Sequence, residues 1–328
     1  MKVLLLKEED VRALLTMREA IEAVEMAYRE KGLGRVQMPP KSYLYFEEFD
    51  GDLRVMPSYL ETIKMAGVKL VNSHPFNQER YGLPTVMAIV ALYKPEDGRP
   101  LAIMGGAWLT AMRTGAGSGV ATKYLARRGS RVVAIVGAGT QARTQLMAMV
   151  EVLNGLSEVR VYDRRVENAR SFAEWSVREL GVSPRVCESP LDCVKGADVL
   201  CTTTPSRTPI VMAEWISAGT HINAIGADAP GKQELDPRIL KSATIFVDDL
   251  EQAVHSGEVN VPIKHGLLRV EDIRGEIGEV VAGKKPSRID ENEVTVYDST
   301  GLAILDLATG ELVYRKAVKE GVGTWVEL

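Results

Sequence analysis

One stretch near the middle of the chain, Arg131 to Ala142, limits most strongly the fold that this sequence can adopt. It begins with five consecutive apolar residues, Val132 to Val136, which are rich in β-branched side chains and too few to cross a membrane. Such a run predicts a strand buried on both faces of a parallel sheet. A Gly-rich turn follows at once, and apolar residues then recur at helical spacing from Leu146 to Leu153. The stretch therefore predicts a buried strand joined to a helix by a tight turn.

The turn itself, Gly137-Ala138-Gly139-Thr140-Gln141-Ala142, matches a dinucleotide-binding fingerprint in this strand-to-helix setting. In such a unit Gly137 makes the tight turn, and Gly139 lets the backbone approach a pyrophosphate held at the helix N-terminus. The third small residue, Ala142, lets the helix and the strand pack closely. The match alone is a weak signal, because any Gly-rich turn between a strand and a helix resembles it.

A second predicted strand supports the dinucleotide interpretation. It runs from Glu158 to Asp163 and ends in an acidic residue 26 positions after Gly137. A carboxylate at this place accepts hydrogen bonds from both ribose hydroxyls of NAD and repels the extra phosphate of NADP. Because Arg164 and Arg165 come next, binding of NADP stays open. We expect NAD as the cofactor; the alternative is a Rossmann-type domain that has lost its cofactor.

Strand and helix patterns alternate from about residue 130 to residue 298, which is the signature of a doubly wound parallel sheet. Ligands of such sheets bind beyond the carboxyl ends of the strands. Asp228 follows one of these predicted strands and is a candidate general acid or base, with a turn or helix cap as the alternative. The later predicted strands are Ala197 to Thr204, His221 to Gly226, Thr244 to Asp248 and Glu293 to Asp298.

The chain before the Rossmann pattern has a different organisation. From Met38 to Leu109 short apolar or alternating runs are separated by turn residues, which predicts a largely antiparallel β domain. The last predicted helix, Gly301 to Glu320, returns to this domain. We therefore predict an α/β fold with a Rossmann domain at 116–300 and a discontinuous α+β domain made of 1–115 with 301–328.

Composition argues against several classes of function. With 40 Lys plus Arg against 44 Asp plus Glu and no basic block, nucleic acid is not an expected partner. The N-terminus becomes charged after four apolar residues, so we expect neither signal peptide nor membrane anchor and a cytoplasmic location. Three cysteines without a CxxC motif and four histidines without metal-ligand spacing argue against a metal site.

Three cations stand within or beside apolar runs of the β domain, namely Arg54, Lys69 and Arg113. A cation in such a place is costly unless it is paired or faces a cleft. An Arg fork binds both oxygens of a carboxylate, whereas a Lys polarises a carbonyl or imine, or takes up a proton. The alternative is that these strands only expose their charges at the surface.

Several blocks together resemble the ornithine cyclodeaminase/mu-crystallin family, essentially from end to end. Within the family the chain is most similar to the archaeal alanine dehydrogenase branch, which shares Met38-Pro39-Pro40-Lys41 and Asp52-Leu53-Arg54. The blocks that carry the family resemblance are Lys69-Leu70-Val71-Asn72-Ser73-His74-Pro75, Arg113-Thr114-Gly115-Ala116, Gly137 to Ala142, Asn223 to Leu235 and Asp298-Ser299-Thr300-Gly301.

This resemblance implies roles for particular residues. Lys69 contacts the carbonyl, imine or amine centre of the substrate, Arg113 binds its α-carboxylate, and Asp228 exchanges a proton or orients water. Lys41 stands where cyclodeaminases usually have a carboxylate-binding Arg, and Arg54 stands about where they have a Glu that holds the distal amine of ornithine. An Arg there repels that amine, which favours a reductase or dehydrogenase of smaller or cyclic 2-amino acids.

The resemblance also implies a homodimer formed through the β domain, which then binds substrate and dimerises. The activity that we expect is L-alanine dehydrogenase, with a cyclic ketimine (pyrroline-2-carboxylate) reductase, an ornithine cyclodeaminase and a noncatalytic NAD(P)-dependent binding protein as alternatives. The expected cofactor-binding residues are Thr114, Gly137, Gly139, Thr140, Gln141, Asp163, Arg164, Thr203, Thr204, Gly226, Ser299 and Gly301.

Overall fold

The computed structural model describes residues 1–328, which divide into two compact units. The first unit comprises Met1–Arg113 and Leu302–Leu328, and the second comprises Thr114–Gly301. Each unit is built on one eight-stranded sheet. No helix of the chain has both the length and the apolar composition that a membrane-spanning helix needs.

Sixteen strands are numbered β1 to β16 in chain order. Their bounds are Lys2–Leu6, Val36–Gln37, Ser42–Phe46, Gly51–Leu60, Met65–Ser73, Ala88–Tyr93, Pro100–Gly105, Val132–Val136, Glu158–Tyr162, Arg185–Val186, Val199–Thr202, His221–Ala224, Thr244–Val247, Ile273–Glu276, Thr295–Asp298 and Thr324–Glu327.

Twelve α-helices are numbered α1 to α12 in the same way. Their bounds are Glu8–Leu14, Met17–Leu33, Asn77–Tyr81, Ala107–Leu125, Thr140–Val152, Val166–Leu180, Pro190–Val194, Pro237–Ser242, Leu250–Ser256, Asn260–Lys264, Ile277–Val281 and Ala303–Glu320.

The sheet of the first unit has the order β16-β1-β7-β6-β5-β4-β2, with β3 paired to β4. All its pairs are antiparallel except β1 with β7. Helix α12 packs on one face of this sheet, and the approach is close at Gly67, where a Cβ would lie 2.8 Å from Leu307 Cδ1. The C-terminal segment therefore completes the first unit, which is discontinuous along the chain.

The sheet of the second unit is parallel throughout, in the order β10-β9-β8-β11-β12-β15-β13-β14. The chain runs outward from β8 to β10 and then returns to the other side of β8 with β11. Between β8 and β11 the strand order reverses, and open α/β sheets bind their ligands beyond the carboxyl ends of strands at such a point. The predicted fold class, a doubly wound parallel sheet with a mainly antiparallel α+β unit, is confirmed.

The start of helix α4 differs from the sequence-based expectation. The β pattern was predicted to continue to Leu109, whereas α4 begins at Ala107. The reason is a distant cap: the carboxylate of Glu8 accepts hydrogen bonds from Ala107 N, at 2.7 Å, and from Trp108 N, at 3.0 Å. A carboxylate at a helix N-terminus satisfies backbone N–H groups that have no partner within the helix. Because Glu8 is remote in sequence, the residues around Ala107 give no signal that the helix begins there.

Glycine at position 115 allows α4 to lie close to α5. A Cβ built on Gly115 would lie only 2.4 Å from the carbonyl oxygen of Thr144. We expect Gly115→Ala to lower the free energy of unfolding by about 1–3 kcal/mol, because backbone atoms cannot move aside as a flexible side chain can. The measurement is urea unfolding followed by circular dichroism.

The matched control is Gly310→Ala, which also lies inside a helix. There the nearest heavy atoms are 3.5 Å from the added Cβ, an ordinary contact. Because Ala is the better helix former by about 1 kcal/mol, this change is expected to be neutral or stabilising. Equal losses in the two variants would show that close packing at position 115 has no special importance.

Candidate active site

Three buried charged side chains meet inside the first unit. Lys69 lies on β5, Arg113 on α4 and Asp306 on α12, and their exposed fractions are 2%, 6% and 1%. The Nζ atom of Lys69 is 2.7 Å from Oδ2 of Asp306, and Nε of Arg113 donates to Oδ1 of Asp306 at 2.9 Å. One carboxylate therefore holds both the predicted catalytic Lys69 and the predicted substrate-binding Arg113 in fixed positions.

Two cations share this one carboxylate, so the cluster carries an excess of positive charge. This excess affects the pKa of Lys69. Burial, followed by the positive charge of Arg113, lowers the pKa of Lys69 from 10.5 to about 7, against the opposing effect of Asp306. The charge of Lys41 acts in the same direction as that of Arg113. A lysine with a pKa near 7 exists in both protonation states at neutral pH, so it can donate a proton or accept one.

Asp306 is the residue of this cluster that the sequence analysis missed. It lies in the apolar run Ala303-Ile304-Leu305-Asp306-Leu307-Ala308, on a helix whose neighbouring residues are all buried. A carboxylate inside such a run is as costly as a cation inside a strand unless it is paired. A charge within an apolar run therefore marks Asp306, as it marks Lys69, as a residue that needs a partner.

The other two predicted substrate-binding residues, Lys41 and Arg54, also belong to the first unit. The strand pairing sets Arg54 opposite Val71 and Lys69 opposite Met56, so Arg54 and Lys69 point to the same face of the sheet. Arg54 donates to Asp52 through Nε, at 3.1 Å, and through Nη2, at 3.0 Å. Its orientation is thus fixed by a carboxylate of its own strand.

In the second unit the fingerprint turn has the shape that its glycines predict. Gly137 has a φ of 97°, and a Cβ there would lie 2.8 Å from Thr203 Oγ1 and 2.9 Å from Thr204 Cγ2. Gly139 is the N-cap of α5 and supplies no side-chain cap, so backbone N–H groups of the first turn are available to an anion. Thr140 and Gln141 are the first two residues of that helix. The turn can accommodate a pyrophosphate.

Asp163 connects the end of β9 to the fingerprint turn. Its carboxylate accepts hydrogen bonds from Ala138 N at 2.9 Å, Arg165 N at 2.9 Å and Asn168 Nδ2 at 3.2 Å. A cavity of about 790 Å³ lies beside it and has Gly137, Asp163, Arg164 and Thr204 in its wall. This volume lies within the usual range for small-molecule sites. The turn, the carboxylate and the cavity together fit the adenosine and pyrophosphate parts of NAD.

The remaining predicted cofactor residues of the second unit follow the ends of strands, except Thr114, which lies inside a helix. Thr203 Oγ1 donates to the carbonyl oxygen of Gly137 at 3.2 Å. Thr204 and Gly226 are both bound by the carboxylate of Glu234, which the sequence analysis did not single out. Ser299 and Gly301 follow β15, and Thr114 lies within α4.

Asp228 lies in the loop that follows β12, as predicted. Its Oδ1 is 2.5 Å from Nζ of Lys232, and its side chain is about one-third exposed, at 37%. The ammonium of Lys232 is thus an ion-pair partner of Asp228. The position of Asp228 at a carboxyl end of the parallel sheet suits a group that acts on a bound ligand.

Removal of the Asp306 charge should destabilise the fold in a pH-dependent way. Asp306→Asn leaves two buried cations without a counter-charge, and we expect a loss of about 3–5 kcal/mol in the free energy of unfolding at pH 6. The pKa of Lys69 is about 7 in the folded protein and 10.5 ordinarily, so at pH 9 the folded-state amine is neutral and no longer needs Asp306. The loss should therefore be smaller at pH 9.

Urea unfolding at both pH values measures this difference. The control is Asp192→Asn, which removes the partner of Arg185 in an exposed ion pair and is expected to cost no more than about 1 kcal/mol at either pH. A loss in Asp306→Asn that is small, or independent of pH, would contradict the assigned electrostatics.

The chain is similar to known proteins over nearly its whole length. The profile of the ornithine cyclodeaminase/mu-crystallin family matches residues 1–321. An alanine dehydrogenase of Archaeoglobus fulgidus is 51% identical over 327 residues, covering 100% of this chain and 99% of the relative.

Two solved structures are also similar over nearly the whole chain. An archaeal alanine dehydrogenase dimer with bound NAD superposes with a TM-score of 0.95 at 50% identity, covering 100% of both chains. The Δ1-pyrroline-2-carboxylate reductase of Thermococcus litoralis, in complex with NADH and L-proline, has a TM-score of 0.95 at 41% identity, covering 98% of this chain and 99% of that one. From its sequence, its two sheets and these similarities, the chain belongs to the ornithine cyclodeaminase/mu-crystallin family.

Proposed function

We propose that the protein is an NAD(H)-dependent oxidoreductase that acts on the C–N bond of small 2-amino and 2-imino acids. The activity best supported is that of an L-alanine dehydrogenase, which converts pyruvate, ammonia and NADH to L-alanine. The observation that carries this proposal is the buried cluster of Lys69, Asp306 and Arg113. The 51% identity to an alanine dehydrogenase and the NAD bound to a 50% identical structure support it.

Arg113 is suited to hold the α-carboxylate of the substrate. Asp306 binds its Nε, so this ion pair does not use the two terminal nitrogens of the guanidinium. Those nitrogens offer the parallel donors that a carboxylate accepts. Lys41 and Arg54 add positive charge to the same unit and, in this proposal, assist carboxylate binding. An anionic substrate is therefore favoured over a cationic one.

Lys69 is suited to the proton transfers at the reacting centre. Ammonia adds to the carbonyl carbon of pyruvate and water leaves, which requires a proton on the departing oxygen. The ammonium form of Lys69 donates that proton and becomes the neutral amine, and Asp228 exchanges a proton with the nitrogen. The reduced nicotinamide supplies a hydride for Cα, so that the imine becomes the amine of alanine. A pKa near 7 allows Lys69 to run these transfers in both directions.

A second candidate is a reductase of a cyclic imine such as pyrroline-2-carboxylate, which gives L-proline. The similarity to the Thermococcus litoralis reductase, whose structure contains NADH and L-proline, favours this activity specifically. The imine is preformed, so the same residues need only bind the carboxylate and protonate the nitrogen. No ammonia is then consumed.

NADH oxidation by the purified protein distinguishes these two activities. We expect turnover of pyruvate that depends strictly on ammonium, because the imine must be formed before hydride transfer. Faster turnover of pyrroline-2-carboxylate without ammonium would assign the protein as a ketimine reductase. Release of ammonia from ornithine without net NADH formation would instead indicate a cyclodeaminase. Repeating the assay with NADPH tests the preference for NAD that Asp163 predicts.

Single substitutions test the assigned roles in the same assay. Lys69→Ala and Asp228→Ala should lower kcat by about 100-fold or more while NADH affinity is kept, because both act on protons. Arg113→Lys should mainly raise KM, since one point charge replaces a fork. Lys2→Ala, an exposed lysine on a strand of the same sheet, is the control and should change neither constant. Unchanged turnover in Lys69→Ala would refute the assignment.

We also infer a homodimer that forms through the first unit. Strand pairing places Leu44, Leu53, Leu70 and Ile89 on the sheet face opposite to that of Lys69. Leu44 and Ile89 are exposed there, which is unfavourable unless this face is covered. The similar archaeal alanine dehydrogenase is a dimer. A cytoplasmic location remains a prediction from the sequence.

A charge on this apolar face should separate the subunits. Ile89→Asp is expected to shift the sedimentation coefficient from dimer to monomer, because a carboxylate is costly in an apolar interface. Ile289→Asp, at an exposed position of the second unit, is the matched control and should leave the dimer intact. If Ile89→Asp sediments as the unchanged protein does, the interface lies elsewhere.

A further inference from the structure

Four acidic side chains of the second unit, Glu234, Asp248, Glu258 and Asp298, have an exposed fraction of 0% and no role in the mechanism above. Three of them, Glu234, Glu258 and Asp298, are linked to one another by hydrogen bonds. Asp298 ends β15, Glu258 follows α9, and Glu234 lies in the loop after β12. Buried carboxylates are costly, so each one needs donors that compensate for its lost hydration.

These residues form a chain of hydrogen bonds, which we call the carboxylate relay. Asp298 Oδ1 accepts from the backbone N of Glu258 at 2.9 Å. Glu258 Oε1 accepts in turn from the backbone N of Glu234 at 2.9 Å and from that of Leu235 at 2.7 Å. Each carboxylate thereby fixes the backbone of the residue that carries the next one.

The relay ends at the two strand ends predicted to bind the cofactor. Glu234 Oε1 accepts from Thr204 N at 2.6 Å and from Thr204 Oγ1 at 2.7 Å, and Oε2 accepts from Gly226 N at 2.8 Å. The two segments are also in close contact, since a Cβ at position 226 would lie 2.0 Å from the carbonyl oxygen of Thr204. One side chain therefore ties the end of β11 to the end of β12.

We propose that Glu234 is a positioning residue for the cofactor: its ionised carboxylate holds Thr204 and Gly226 in the arrangement that binds NAD(H), and protonation releases one of them. This inference rests on the proposed NAD(H)-dependent function. It adds a residue that acts through the backbone of the cofactor site and makes cofactor affinity depend on pH.

The hydrogen-bond geometry explains why the ionised form is required. Both oxygens of Glu234 face backbone N–H groups, and these groups can only donate. A proton on Oε2 presents a hydrogen to Gly226 N, so that the bond from Gly226 is lost. Glu258 differs, because its Oε1 accepts from both Glu234 N and Leu235 N, while Oε2 is only a second, longer acceptor for Glu234 N at 3.1 Å. A proton on Oε2 therefore leaves both N–H groups with an acceptor.

Burial places this ionisation in the neutral range. Desolvation raises the pKa of Glu234 to about 7, against the opposing effect of the Thr204 and Gly226 hydrogen bonds. Burial and the charge of Glu234 raise the pKa of Glu258 well above its usual range. The other charged side chains on the packed segments are Arg207 after β11, Asp228, Lys232 and Asp236 in the loop of Glu234, and Asp298 at the end of β15.

NADH affinity measured by fluorescence titration between pH 6 and pH 8.5 tests the proposal. In the unchanged protein we expect the affinity to rise as the pH passes about 7, because Glu234 ionises there. Glu234→Gln cannot offer two acceptors, so at pH 8 its Kd should be roughly 10-fold higher and should lack the step near neutral pH. The control Asp236→Asn removes a carboxylate of the same loop that caps α8, and should keep both the affinity and the step.

Thr204→Val provides a second variant in case Glu234→Gln folds poorly. It removes the hydroxyl that donates to Glu234 and that also accepts from Ser206 N. Because the lost donor stabilises the ionised form of Glu234, the step should move to higher pH. Thr204→Ser keeps a hydroxyl and should restore the original midpoint. A step unchanged in Thr204→Val and in Glu234→Gln would overturn the proposal.

Two further measurements separate this proposal from the proposed activity. If the protein binds NADH but reduces neither pyruvate with ammonium nor the cyclic imine, the substrate assignment fails while the affinity measurement still decides the role of Glu234. If NADH does not bind, amide hydrogen exchange measured without cofactor tests the role of Glu234 instead. Peptides that contain Thr204 and Gly226 should then exchange faster in Glu234→Gln than in Asp236→Asn, and equal rates would refute the relay.

Discussion

The carboxylate of Asp306 is the interaction on which the first unit depends. It joins a strand, a helix that continues into the second unit and the helix of the C-terminal segment, through Lys69, Arg113 and its own position on α12. Removing one partner of a buried ion pair leaves an uncompensated charge, which is far more costly than losing an exposed pair. The same contact sets the chemistry, because it fixes the fork of Arg113 and moderates the lowered pKa of Lys69.

The buried charges of the two units are compensated by different kinds of groups. The first unit places cations around one carboxylate, whereas the second places carboxylates against backbone N–H groups. As the pH rises through about 7, Lys69 loses its charge and Glu234 gains one, since the pKa of each is about 7. In the proposed function, cofactor affinity and proton transfer therefore change over the same narrow range of pH.

Much of the fold could be predicted from the sequence because its signals are local. The apolar run before Gly137 and the helical spacing after it indicated a strand, a turn and a helix, which are β8 and α5. The contacts that could not be predicted join residues far apart in the chain. Glu8 caps a helix that begins about 100 positions later, and Asp306 meets Arg113 across 193 positions. No spacing pattern records such a pair, although a charge within an apolar run marks the position where a partner is needed.

The discontinuity of the first unit has a consequence for biosynthesis. Its strand β1 pairs with the edge strand β16, near the C-terminus, and helix α12 covers its sheet. This unit therefore lacks two of its elements until the C-terminal segment has been made. The second unit is continuous in sequence and all its strands are present earlier. Because domains generally fold as units during synthesis, the second unit is expected to be complete before α12 and β16 of the first unit have been synthesised. During that interval the face of the N-terminal sheet that α12 covers in the folded protein is exposed to water, so the nascent N-terminal segment is expected to be a binding site for chaperones.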